Sequence, residues 1–241
     1  MERTLFVFEG EGREKLYFES LERSFFSGEQ SRILVTFQND IYELYKQLKA
    51  DDDLNPYELI KELNPLAKNR ESLGKLRRDQ ISQIYLFFDM EPHDDHYDSQ
   101  KLLDMLAHFD NETEHGKLFI SYPMIEALRD IDDSTEYLTR TVSLEDCRGK
   151  IYKGLSAQRG NSIYQDARKI DKAVWQTLIM ANLQKANYLI SGTISQAPVI
   201  DQHAIAQSQL DQHLPNGEVA ILSAFPIFLG DYFGRKIIFF K

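Results

Sequence analysis

The sequence predicts an α/β protein with a doubly wound, mostly parallel sheet, and three observations predict it. Four runs of strand formers, Leu5-Phe6-Val7-Phe8, Ile33-Leu34-Val35-Thr36-Phe37, Ile84-Tyr85-Leu86-Phe87-Phe88 and Lys117-Leu118-Phe119-Ile120-Ser121-Tyr122, are separated by segments of helical length. The first three are nearly continuous in their apolar character instead of alternating, as in strands covered on both faces. Carboxylates follow the first and third runs directly, at Glu9 and Asp89, on the edge where open α/β sheets bind ligands.

The intervening segments justify the rest of the pattern. From Glu14 to about Phe26, the residues Leu16, Tyr17, Phe18, Leu21, Phe25 and Phe26 recur at helical spacing. Ile41, Leu44, Tyr45 and Leu48 form the stripe of a second helix, with Asp40 placed to cap it. Asp51-Asp52-Asp53 and Pro56 start a further helix, since acidic residues complement its dipole and proline suits its first turn. Residues 64–80 form a basic, polar connection, either a solvated helix face or a strand-binding patch. Ser99 to Phe109 is a helix, and Pro123 breaks the fourth strand before another helix from Met124. Beyond this point the character changes. Residues 130–162 read as polar and irregular, Ile163 to about Ile190 as one long helix, and Ile200 to Leu214 as another. An aromatic tail, including Phe225-Pro226-Ile227-Phe228-Leu229, closes the chain and serves as an interface or completes the core. The expected organisation is an α/β core over residues 1–130 and a mainly helical extension over 131–241, packed on the core.

At 241 residues and 42% hydrophobic content the chain has enough material for a sizeable core. Its single cysteine, Cys147, excludes an internal disulfide framework and a multi-cysteine zinc site, and no activating arrangement surrounds it. The start lacks a signal peptide and no apolar run approaches membrane-spanning length, so a cytoplasmic protein is expected. A net charge of −10 argues against capture of nucleic acid by bulk charge alone. The charge is uneven, however. Residues 89–136 carry fourteen acidic and three basic side chains, whereas residues 139–172 carry eight basic and four acidic ones. Polyanion contacts are accordingly expected from Lys75, Arg77 and Arg78, and from Arg140 and Arg159.

Two familiar phosphate loops are excluded. Gly10 and Gly12 do not complete a dinucleotide fingerprint because position 15 is Lys, and the Walker Gly-Lys-Ser/Thr is absent. His93-Asp94-Asp95-His96 resembles a metal cluster, but zinc wants defined His geometry and neutral imidazole is a poor match for Mg²⁺, so loop histidines are the default reading and a zinc role the alternative. Glu11 reads as a solvated turn residue. Asp89 and Glu91 stand two apart, so continued extended geometry turns both side chains to one side. Adjacent like charges are relieved by a divalent cation.

A strand ending in Glu9-Gly10 and a later strand ending in Asp89-Met90-Glu91 resemble the signature of the Toprim (topoisomerase–primase) family. The start Glu9-Gly10, Glu14, Tyr17-Phe18 and the later Ser121-Tyr122-Pro123-Met124-Ile125-Glu126 look most like stand-alone RloB-like and abortive-infection Toprim nucleases. The resemblance covers residues 4 to about 128. It implies a Toprim-like sheet and a Mg²⁺- or Mn²⁺-dependent nuclease of antiviral defence that hydrolyses DNA or RNA phosphodiester bonds. It further implies that Glu9, Asp89 and Glu91 are catalytic, and that the same three with Glu126 hold metal. A partner ATPase of the ABC/SMC type is implied as well. The chain departs from the family in carrying Glu91 where the pair has a second Asp, which leaves Asp94 or Asp95 as alternative ligands. The alternative is a non-catalytic Toprim-like module that docks or regulates the partner ATPase.

Overall fold

The computed structural model describes residues 3–10, 12–26, 31–38, 41–50, 55–132, 135–198 and 200–239. Asp40, Asp51-Asp52-Asp53 and Glu11, for which capping, helix-starting and turn roles are expected, lie outside the described residues. The chain begins with β1 (Arg3–Phe8), α1 (Arg13–Phe25) and β2 (Ser31–Thr36), followed by α2 (Ile41–Ala50), α3 (Pro56–Leu63) and α4 (Ala67–Gly74). The central strand β3 (Ile81–Asp89) leads into α5 (Ser99–His108), a short β4 (Asp110–Asn111) and β5 (Gly116–Ser121). These strands form one five-stranded sheet of order β2-β1-β3-β5-β4. Strand β1 runs parallel to both β2 and β3, and the β4–β5 pair is antiparallel, so the protein is α/β with a mostly parallel sheet.

The order carries a reversal. The chain moves from β1 outward to β2 and then returns to the opposite side of β1 as β3. Such a reversal is the topological switch point beside which α/β sheets open a crevice at their carboxyl edge. Phe8 of β1 pairs in register with Thr36 and with Phe87 there.

The chain divides into two compact units. The first comprises Met1–Lys15, Gly28–Phe88 and His96–Leu118, and the second comprises Leu16–Ser27, Asp89–Asp95 and Phe119–Lys241. In the first, Leu5, Phe6, Val7, Phe8, Ile84, Leu86 and Phe88 are at most 1% exposed, which is what a strand covered on both faces requires. Asn55 caps α3 by accepting from the Tyr57 amide, with Pro56 in the first turn as the sequence predicts. The basic connection is mainly α4, whose residues apart from Leu73 are half-buried or exposed.

In the second unit the sequence expectations need four corrections. After the cis Tyr122–Pro123 peptide the chain forms a 3₁₀ turn over Ile125–Arg129, not an α-helix. Residues 130–162 contain regular structure: β6 (Thr141–Ser143) and α6 (Gly149–Arg159). The α6 pattern is hidden because the helix buries little, essentially Tyr152 and Ser156, and its charged residues mask the period. The long helix α7 (Lys172–Ser191) begins nine residues later than Ile163, where Asp171 accepts a hydrogen bond from the Val174 amide. The helix expected from Ile200 to Leu214 is α8 (Gln202–Ser208) continued by one π turn over Gln209–His213. The aromatic tail forms β7 (Glu218–Ala220), which pairs with β6, and α9 (Ala224–Phe233), buried on all sides from Ala224 to Gly230. Phe18 and Phe26 pack against Phe225 and Phe228, so the tail completes this unit's core. The sole tryptophan, Trp175, is fully buried and donates to the Ser20 hydroxyl, which itself donates to the Ile170 carbonyl.

Candidate functional site

Glu9 is the residue immediately after β1, and its backbone is fixed on both sides. Its amide donates to the Phe87 carbonyl at 3.2 Å, and its carbonyl accepts from the Gln38 amide at 2.9 Å. The carboxylate-bearing residue is half-buried. Beside it, the Gly10 amide donates to Oε1 of Glu14, a residue only 9% exposed. A Cβ at position 10 would lie 2.7 Å from that oxygen, so the turn requires glycine if Glu14 is to keep its place. This gives a physical reason for the Glu-Gly-x-x-x-Glu spacing: Glu14 holds the turn that presents Glu9.

Asp89, Glu91 and Glu126 belong to the second unit, whereas Glu9 belongs to the first. Extended geometry does not continue through the Asp89-Met90-Glu91 triplet. β3 ends at Asp89, and Glu91 has a φ of 41°, in the left-handed region that side chains other than Gly, Asn and Asp seldom adopt. What persists is the alternation of burial: Met90 is fully buried and the two flanking carboxylates are half-buried. The Met90 amide donates to the Ser121 carbonyl and the Glu91 amide to the Pro123 carbonyl, which ties the triplet to the end of β5. Glu91 and Gln38 are the described non-glycine residues with positive φ, and both follow the carboxyl end of a strand. Backbone strain of this kind collects at functional sites.

Glu126 sits in the 3₁₀ turn after Pro123 and is 1% exposed. Asp94 donates its amide to the Glu91 carbonyl in a tight turn, with Asp95 exposed beyond it. A cavity of about 250 Å³ adjoins this turn, lined by Glu91, His93, Asp94, Cys147 and Arg148 among others. His93 shares a hydrogen bond with the Leu144 carbonyl through Nε2, which gives that imidazole a structural partner. Burial, with Asp146 adding to it, pushes the Cys147 thiol up to about 12, in keeping with an unactivated buried cysteine.

In kind, carboxylate oxygens suit Mg²⁺. Among the described residues, no three His, Cys, Asp or Glu side chains are grouped closely enough to form a ready-made metal site.

The basic candidates are largely engaged. Lys75 pairs with Glu71 at 2.8 Å and Arg77 with Asp79 through two hydrogen bonds, all on exposed surface. Arg78 donates to the carbonyls of Ile81, Thr113 and Glu114, which clamps the β4–β5 turn to the start of β3. Arg159 and Arg140 both approach the fully buried Asp130, at 2.6 and 3.8 Å, and Arg140 also binds Asp132. Lys185, fully buried, donates to the carbonyls of Tyr137 and Arg140. Its pKa is pushed down, first by burial and then by Arg140, whereas burial and then Asp130 push the Tyr152 phenol up. Sequence reasoning missed this buried polar network. Its only signal is Lys185 within the long helical pattern, and nothing in the spacing pairs it with Asp130.

Fold and carboxylate placement together define a class: an α/β protein with acidic residues at the carboxyl edge of a mostly parallel sheet. No protein-family model, curated protein or solved structure matches the chain. Among the described residues no helix is long and apolar enough to cross a membrane.

Proposed function

We propose that this protein is a doubly wound, Toprim-like, metal-dependent nuclease that hydrolyses phosphodiester bonds of DNA or RNA in the cytoplasm, as an abortive-infection effector paired with an ABC/SMC-type ATPase. One observation carries the reading: Glu9 and Asp89 stand at the carboxyl ends of adjacent, parallel, in-register strands, at the point where the sheet order reverses. Asp89 and Glu91 would hold Mg²⁺ or Mn²⁺, with water and substrate phosphate as the remaining ligands, and Glu9 would take the proton of the attacking water. When bound, the metal supplies charge stabilisation for the phosphoryl oxygens. The Gly10–Glu14 hydrogen bond keeps Glu9 on its turn, and the Met90 and Glu91 amides hold the acidic triplet against the end of β5.

A second reading has a specific observation behind it. Glu91 stands where the family has Asp, and its left-handed backbone takes it out of strand geometry. This favours a non-catalytic module that docks the partner ATPase. Plasmid nicking and RNA cleavage with Mg²⁺ or Mn²⁺ decide between the two. The nuclease reading expects Glu9→Ala and Asp89→Ala to lower cleavage by about a hundredfold or more at unchanged stability. Wild-type protein without metal-dependent cleavage, even with the ATPase present, would favour the docking module.

A further inference from the structure

In the first unit, at the carboxyl ends of β1 and β2, lies a cavity of about 320 Å³, lined in part by Lys68 of the basic 64–80 connection. This is a volume typical of small-ligand pockets. Phe8, Thr36 and the start of α4 enclose it, and Lys15, Lys68, Asn69 and Ser72 supply its polar lining. In a chain of net charge −10, no acidic side chain among the described residues lines this cavity. Lys15 and Lys68 are both exposed, and neither has a hydrogen-bond, ion-pair or ring partner among the described residues. Lys75, one residue beyond the same helix, is by contrast paired with Glu71.

The frame of the cavity is set. The buried Asn64 amide and the Asn69 amide both donate to the Thr36 carbonyl at 2.8 Å, which ties the end of β2 to the first turn of α4. No side chain caps α4 at Leu66, so the Ala67 and Lys68 amides add donor capacity beside the two lysines. Two ammonium groups, a serine hydroxyl and a helix start, without a carboxylate, match a doubly charged oxyanion.

We propose that this cavity binds a phosphate group of a nucleotide or of a nucleic-acid strand, with Lys15 and Lys68 as its charge partners. The identity of that phosphate as the substrate's rests on the nuclease reading. The binding itself needs no metal.

The test uses the full chain in EDTA, with anisotropy of a short fluorescein-labelled oligothymidylate, AMP as competitor, and calorimetry with AMP alone. The combined Lys15→Gln and Lys68→Gln substitutions are expected to weaken phosphate-ligand binding about tenfold or more. They should also flatten the slope of log affinity against log salt by about 1.4, or about 0.7 for each single-strand phosphate that a lysine no longer neutralises. Ser72→Asp should weaken binding as well, whereas Lys46→Gln, at an exposed lysine paired with Glu43 that does not line the cavity, should stay within about twofold of wild type. Displacement of the probe by AMP assigns the pocket to a mononucleotide phosphate, and retention assigns it to a strand phosphate. Both support the proposal. Unchanged affinity and salt slope in the double variant, or no binding of either probe by the wild type, would overturn it. Absent cleavage with lysine-dependent binding in EDTA would refute only the nuclease reading. Cleavage that needs Glu9 and Asp89, together with binding in EDTA that is indifferent to both lysines, would refute only the pocket.

Discussion

The Arg159 guanidinium holds the fully buried Asp130 carboxylate through two parallel hydrogen bonds of 2.9 and 2.6 Å. Arg140 lies 3.8 Å from the same carboxylate. Removing one member of such a set leaves buried charge without its counterpart, which costs about 3–5 kcal/mol. Arg159→Ala and Asp130→Ala should therefore each destabilise the protein by roughly 3 kcal/mol. Urea unfolding followed by the emission of buried Trp175, in the same unit, measures this directly. A loss below about 1 kcal/mol would reduce the pair to an ordinary surface ion pair.

Cys147 is 2% exposed and its thiol is pushed up to about 12, by burial first and then by Asp146. At pH 8 the thiol of the native protein should react with a disulfide reagent about a hundredfold more slowly than in denaturant. The pH dependence follows in sign. The folded pKa lies above the ordinary value of 9.0, so the thiol's contribution is intact below about pH 9 and is lost as pH climbs toward 12. Wild type should lose stability over that window relative to Cys147→Ala. Parallel curves for the two proteins would remove this assignment.

Glu91 combines a candidate ligand with a backbone φ of 41°. Glycine accepts that region at no cost, so Glu91→Gly should raise stability by about 0.5–1 kcal/mol while removing metal-dependent activity. Glu91→Val, β-branched in a left-handed position, should lose about 1 kcal/mol or more. Thermal unfolding and cleavage assays on the same preparations separate the two effects. A glycine variant that gains stability and keeps full activity would free Glu91 of any ligand role and pass it to Asp94 or Asp95.

Much of the first unit is legible from local pattern. Leu5 to Phe8 and Ile84 to Phe88 are continuous apolar runs, and such runs occur where both faces of a parallel strand are covered. The second unit is harder to read because its elements are short or weakly patterned. α6 presents one buried tyrosine and one buried serine, and the segment after Pro123 closes as a 3₁₀ turn. The π turn at Gln209–His213 follows from packing, with the Gln209 amide group bridging both the amide and the carbonyl of Ala220.

Local order along the chain suffices for the α/β class, for the strands that carry Glu9 and Asp89, and for a glycine turn after Glu9, because each depends on residues a few positions apart. Which charges are available is settled by folding alone. Arg140 and Arg159 count as surplus positive charge along the chain, yet both lie against Asp130, ten and twenty-nine residues before them. Lys68 stands out in sequence only as part of the basic 64–80 connection and Lys15 only as the residue that breaks a glycine fingerprint, yet they line one cavity without a carboxylate among the described residues. Ion pairing depends on distance in space, which falls to a few ångströms only after the chain has folded.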